Sequence, residues 1–291
     1  MVISLSRPRL LARLNEASDA GLVVLTAPAG FGKTLAVEQW AEQHHGPVMW
    51  VRVGHGDAPP LPERTPRRVE SSDAEVLVID GLDSLGNPRV EDALVELAAL
   101  VCRRLRVVVT RRGRHCAALN RLMRSVGAAT IDEHDLAFTP LEAQRFLCAA
   151  AGGDVESRFV DALMQRTEGW PFALRIAATG LERGEDPEHV VDSISGANRH
   201  IASLFFEDVL RTQPSFVRRF VIGTSILDRL TGSLCDLLLG TRCGAVTLAL
   251  LARRGVFTFR ASANEAVFRY HPLFREAMRR ELAPERVWPT K

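Results

Sequence analysis

Leu22-Val23-Val24-Leu25 runs directly into Thr26-Ala27-Pro28-Ala29-Gly30-Phe31-Gly32-Lys33-Thr34. The pattern is an apolar strand, a glycine-rich loop ending in Gly-Lys-Thr, and a helix from Leu35 to Gln43 with Val37 and Trp40 on its apolar face. The lysine stands out against the rest of the chain. Of 37 basic residues, only Lys33 and the terminal Lys291 are lysines. Arginine serves wherever charge alone is wanted. At position 33 a slender ammonium that can thread beneath a loop is needed, a task for which a broad guanidinium is poorly shaped. Such a loop cradles phosphates with its backbone N–H groups, its hydroxyl residue ligates magnesium, and the helix behind it aims its positive end at the anion. The plainer alternative is a tight strand-to-helix turn with an incidental lysine. Agreement between the motif and its flanks favours the phosphate loop.

The usual P-loop pattern begins with glycine, and Ala27 takes that place here, whereas Gly30, Gly32, Lys33 and Thr34 are intact. A length of 291 residues allows two or three small domains, and 46% apolar with 25% charged residues is a globular balance. A formal net charge of +2 makes no large field for nucleic acid. No run of about eighteen apolar residues occurs, so no membrane span is expected. The N-terminal residues lack a secretory layout. Five scattered cysteines with no Cys-x-x-Cys pair imply neither zinc nor a disulfide framework, and a cytoplasmic setting is expected.

Residues 7–17 read as a short helix with Pro8 near its first position. Val48 to Val53, Val76 to Asp80 and Val107 to Thr110 read as further strands. Gly54 to Ser72 is loop-like, and Val90, Leu94, Leu97, Val101 and Leu105 recur at helical spacing. Apolar strands alternating with helices predict a parallel sheet with helices on both faces. After residue 138 the character changes. Thr139-Pro140-Leu141-Glu142 is a capping box, and helices punctuated by Gly and Pro follow to about residue 254. Val256 to Arg260 and Ala266 to Tyr270 then read as a hairpin, with a last helix near Pro272. Helices followed by a hairpin suggest a winged helix. The fold class expected is therefore an α/β P-loop NTPase domain (1–138), a helical domain (139–198) and a winged-helix domain (199–291).

Asp80 ends an apolar strand, where a carboxylate can hold magnesium beside Thr34; otherwise it is a solvent-facing strand end. Arg111 also follows an apolar strand, either as a sensor of the terminal phosphate or as one arginine among many. The cluster Arg103, Arg104, Arg106, Arg112 and Arg114 reads as a solvated face. Asp83 is a candidate second acid for orienting water. Gly169-Trp170-Pro171 either presents a flat apolar wall to a base or merely opens a helix. His271, between a strand and a helix start, is either a phosphate contact or a buried capping histidine.

The order of these motifs resembles the STAND class of P-loop ATPases, specifically the N-terminal half of MalT-like LuxR-family transcription regulators. The matching stretches are Arg7-Pro8-Arg9-Leu10-Leu11, Thr26 to Thr34, Val78-Ile79-Asp80, Val109-Thr110-Arg111 and Asp135 to Thr139. Thr167-Glu168-Gly169-Trp170-Pro171, Thr224 to Leu227 with Leu234-Cys235, and Tyr270-His271-Pro272-Leu273-Phe274 complete them. The resemblance implies a switch in which ATP or ADP, with Mg2+, is held by Arg9 and by Ala29, Gly30, Phe31, Gly32, Lys33, Thr34 and Leu35. It implies that Pro171 packs on the base and that His271 meets the β-phosphate. Thr34 and Asp80 are the implied metal ligands, and Asp80 and Arg111 the implied catalytic pair. ATP exchange would open the module for oligomerisation. Family members usually continue into a helical-repeat sensor and a C-terminal helix-turn-helix, so either this sequence is a fragment, or a homo-oligomer or a partner protein is expected to supply sensor and output domains. Direct DNA binding by this chain and membrane association are not expected.

Three departures bear on turnover. Gly81 stands where the family usually has a second acid, Gly54 replaces an acid after the second strand, and the segment Gly54 to Asp73 is shorter than usual. Losing carboxylates beside the attacking water weakens hydrolysis more than binding, so slow or absent turnover is expected. Two other functions compete: an ATPase with appreciable turnover, and a winged-helix DNA-binding protein whose P-loop domain is a scaffold.

Overall fold

In the computed structural model, residues 7–53, 74–82, 105–113, 117–261 and 266–282 are described. The loop-like stretch from Gly54, Asp83, the helical repeat from Val90 to Val101, and Arg103, Arg104 and Arg114 lie outside the described residues. The chain divides into two compact units, one ending at Leu136 and the other beginning at Ala137.

The first unit is a five-stranded parallel sheet. Its strands are β1 (Leu22–Thr26), β2 (Val48–Arg52), β3 (Val76–Asp80), β4 (Arg106–Arg111) and β5 (Ala129–Ile131), in the order β2-β3-β4-β1-β5. Every residue of β1 is buried, as is every residue of β3 before Asp80, which is why these strands read as unbroken apolar runs. Alternation divides them between two faces. Leu22 and Val24, Leu77 and Ile79, and Val107 and Val109 pack with Leu119 and Leu122 of α3 (Ala117–Val126). Helix α1 (Pro8–Ser18) packs against β1, and α2 (Lys33–Glu42) against β4. Pro8 occupies the first turn of α1 as expected, where a missing N–H costs nothing.

The second unit is mostly helical. Helix α4 (Glu133–Leu136) closes the first unit, and α5 (Pro140–Ala151) opens the second with the anticipated capping box. The Thr139 hydroxyl accepts from the Glu142 N–H at 3.2 Å, and the Glu142 carboxylate accepts from the Thr139 N–H at 2.9 Å. Helices α6 (Ser157–Thr167), α7 (Pro171–Glu182) and α8 (Pro187–Ser193) follow. Next, α9 (Arg199–Ser203) continues as a π-helical stretch, Leu204–Leu210, that the sequence did not announce. Helices α10 (Ser215–Thr224), α11 (Gly232–Leu239) and α12 (Gly244–Arg254) lead into the antiparallel strands β6 (Thr258–Arg260) and β7 (Phe268–Tyr270), and α13 (Pro272–Arg280) ends the unit. Among the described residues, no single helix is long and apolar enough to cross a membrane.

Candidate functional site

At the C-terminal ends of β1, β3 and β4 lie four of the sequence-nominated side chains, Lys33, Thr34, Asp80 and Arg111. Open parallel sheets place ligands at this edge. The loop after β1 turns at Gly30 (φ 75°) and Gly32 (φ 72°), left-handed positions that glycine fills without strain. Ala27 has no such backbone, so alanine replaces the usual first glycine at no conformational cost. Ala27, Ala29 and Phe31 are buried, whereas a Cβ placed on Gly32 would meet nothing within 4 Å. The loop therefore has an anchored underside and an open upper side at Gly32.

Lys33 starts α2, and its Nζ donates to the carbonyl oxygens of Ala27 (2.7 Å) and Pro28 (2.8 Å). The ammonium thus rests on its own loop. The Thr34 hydroxyl donates to Asp80 Oδ1 at 2.9 Å. The same carboxylate oxygen accepts from Thr110 Oγ1 at 2.6 Å, and the Thr110 oxygen accepts in turn from the Gly81 N–H at 2.9 Å. Thr110 was nominated only as part of a motif, because its role depends on β3 and β4 being neighbours. Gly81 has φ 82°, and a Cβ there would sit 3.0 Å from the Val53 carbonyl oxygen.

Arg111 is buried. It is 4% exposed, its Nε donates to Thr26 Oγ1 at 3.0 Å, and its Nη2 donates to Asn120 Oδ1 at 3.4 Å. Thr26 and Arg111 are paired residues of adjacent strands, so the contact follows from register. Arg106 of the suspected cluster is exposed and Arg112 half-buried. Arg9 is exposed on α1, with Nη2 on the Asp135 carbonyl at 2.8 Å. Leu35 is 53% exposed at the start of α2.

In the second unit, Pro171 opens α7 and is half-buried. Trp170 is no exposed wall. Its ring is fully buried, stacked on Phe205 at 5.3 Å and edge-on to Phe257 and His271. His271 is 1% exposed, and its Nε2–H donates to the Thr167 carbonyl at 3.0 Å. Its Nδ1 is buried without a hydrogen-bond partner among the described residues. Burial pushes the imidazole down to about 4, partly opposed by Glu168 and by the Thr167 contact. The second unit therefore joins the Gly-Trp-Pro segment to the strand–helix junction through one histidine. Beside it, Arg269 of β7 grips Glu168.

Residues 206–288 match the MalT winged helix domain. The HTH-type transcriptional regulator MalT of Klebsiella pneumoniae is 26% identical over 322 aligned positions, covering 96% of this chain and 36% of that protein. Along most of its length the chain is similar in sequence to MalT. Serine/threonine-protein kinase PknK of Mycobacterium tuberculosis shares 28% identity with this chain over 317 aligned positions, covering 95% of this chain and 29% of that protein. The chain thus spans about a third of the length of these relatives. A Walker-type ATPase of Pyrococcus abyssi has the same fold, with a TM-score of 0.71, 12% identity, and 95% of this chain and 96% of that chain covered.

Proposed function

We propose that the chain is a nucleotide-dependent regulatory module, with ATP or ADP held over residues 29–35 and its identity setting the state of the helical and winged-helix parts. The observation that carries the proposal is the convergence of Lys33, Thr34 and Asp80, with the Thr34 and Asp80 oxygens 2.9 Å apart. A hydroxyl beside a carboxylate is a hard oxygen donor set that fits Mg2+. The open side of the loop at Gly32 fits a phosphate. When bound, Mg2+ and the phosphates supply the charge that the module reads.

In this proposal Lys33 turns from its two carbonyls to phosphate oxygens, and Thr34 and Asp80 become the metal ligands. The amides from Ala29 to Leu35, Phe31 included, line the phosphates. Arg9 assists nucleotide binding, and Arg111, held by Thr26 and Asn120, senses the terminal phosphate. Pro171 packs on the base. For His271 to meet a phosphate, either its Nε2 proton leaves the Thr167 carbonyl or its Nδ1 takes up a proton. The working division is 1–138 for the nucleotide-binding part, 139–198 for the helical part and 199–291 for the winged helix. With Gly81 in place of a second acid, turnover is slow or absent.

One relative is a transcriptional regulator by name, and we propose transcriptional regulation in the cytoplasm as the setting. Sensor and output functions then come from a partner, another copy or further chain. Direct reading of DNA by the winged helix is disfavoured, because Arg269 is held by Glu168 and Arg254 by Gln213. Mass analysis of what co-purifies with the protein tests the proposal. Near-stoichiometric ADP or ATP is expected. Protein free of nucleotide that also takes none up at millimolar concentration would contradict it.

A further inference from the structure

The second unit contains a cavity of about 440 Å³ that none of the nucleotide chemistry uses. It is a half-open hollow along α7, from Phe172 through Ile176 and Gly180 to Arg183, and is lined also by Arg199 and His200. Arg183 lies eleven residues beyond Phe172, about 16 Å along the helix, so the hollow runs well away from Pro171. Its volume falls in the range of small-molecule sites, about 300–1,000 Å³.

The walls are built in two ways. One part is apolar: Phe172 and Ile176 are half-buried, and the Phe172 ring packs on Trp170 with centroids 5.3 Å apart. Gly180 lets α8 approach, since a Cβ there would be 2.9 Å from Val190 Cγ2. The other part is cationic. Asn198 Oδ1 accepts from the N–H groups of His200 and Ile201, and Asn198 Nδ2 donates to the Ser193 carbonyl. The turn that carries Arg199 is thereby fixed. Arg199 Nε donates to His200 Nε2 at 3.2 Å. Neither Arg183 nor Arg199 has a carboxylate within ion-pair distance among the described residues, although Glu185 also lines the cavity. Two guanidiniums with no ion-pair partner among the described residues, over an aromatic and aliphatic floor, are a recognition pattern for an anion with an apolar body.

We infer that this cavity binds a small organic anion, its apolar body against Phe172 and Ile176 and its carboxylate, sulfonate or phosphate between Arg183 and Arg199. Because Phe172 follows Pro171 and packs on Trp170, an occupant bears directly on the Gly-Trp-Pro segment, which makes this an effector site separate from the phosphate loop.

Titration of the full chain with 8-anilinonaphthalene-1-sulfonate, followed by fluorescence and calorimetry, tests the inference. Saturable binding of one equivalent is expected, unchanged by excess Mg-ADP and by Lys33→Ala. The Arg183→Ala/Arg199→Ala variant is expected to weaken it about tenfold or more while melting as the wild type does, since both side chains are exposed. Thr179→Trp, which fills the cavity and leaves both arginines, is expected to abolish binding. Equal affinity in the double-arginine variant, or displacement of the probe by Mg-ADP, overturns the inference. The first outcome removes the cavity, and the second assigns the anion to the P-loop and leaves the nucleotide proposal standing.

Discussion

Arg269 sets its two terminal nitrogens on the two carboxylate oxygens of Glu168, at 2.8 and 3.0 Å, and Glu168 holds a left-handed backbone (φ 50°) where α6 ends. A non-glycine residue in that conformation costs about 1 kcal/mol relative to glycine. The position therefore retains a carboxylate against its local preference, and the carboxylate reaches from the Gly-Trp-Pro segment to the hairpin.

Replacing Glu168 separates the two effects. Each partner is more than a third exposed, so solvent screening limits the pair to roughly 0.5–1 kcal/mol. Glu168→Gly is expected to be near neutral in urea denaturation, because relief of the backbone offsets loss of the pair. Arg269→Ala should cost roughly 0.5–1 kcal/mol. A coupling near zero between Arg269→Ala and Glu168→Gln in a double-mutant cycle would show that the bidentate contact contributes no stability.

His271 makes the fold sensitive to acid. Its folded pKa, about 4, lies below the ordinary 6.5, so the unfolded chain binds the proton more readily. The contribution is full above pH 6.5 and is lost as pH falls toward 4, by about 3 kcal/mol at most. His271→Gln should flatten the stability profile over this window. An unchanged profile would place the titration elsewhere.

Thr110→Val removes the donor to Asp80 and the acceptor of the Gly81 N–H while keeping the side-chain shape. It should lower stability by about 1 kcal/mol. It should also reduce the extra thermal stabilisation that Mg2+ adds to ADP. If that increment is intact, Thr110 does not orient the carboxylate.

Gly81→Asp restores an acid in sequence but not in geometry. With φ at 82° and a Cβ 3.0 Å from the Val53 carbonyl, the substitution should cost about 1–3 kcal/mol and give no gain in phosphate release. Wild-type stability together with faster release would show that the glycine is not what limits turnover.

Much of this was legible before any coordinates. Strands β1, β3 and β4 announced themselves because both their faces are buried, and the capping box at Thr139 is written in four residues. Strand β5 escaped notice, since three residues, Ala-Thr-Ile, carry no period. The Asp80–Thr110 bond depends on strand order, which single-strand patterns do not contain. Trp170 looked like a ligand wall because a Gly-Trp-Pro string has no inside or outside; only packing with Phe205 and Phe257 turns its ring inward.

The claim at the centre of this account is that the loop from Ala27 to Thr34 holds a nucleotide through Lys33. Calorimetric titration of nucleotide-stripped protein with Mg-ADP tests it most directly, with Lys33→Ala alongside. One site per chain is expected in the wild type, and binding weakened at least about a hundredfold in the variant, as loss of a charge-assisted phosphate contact predicts. Equal affinity in both proteins, or no heat in either, would contradict it.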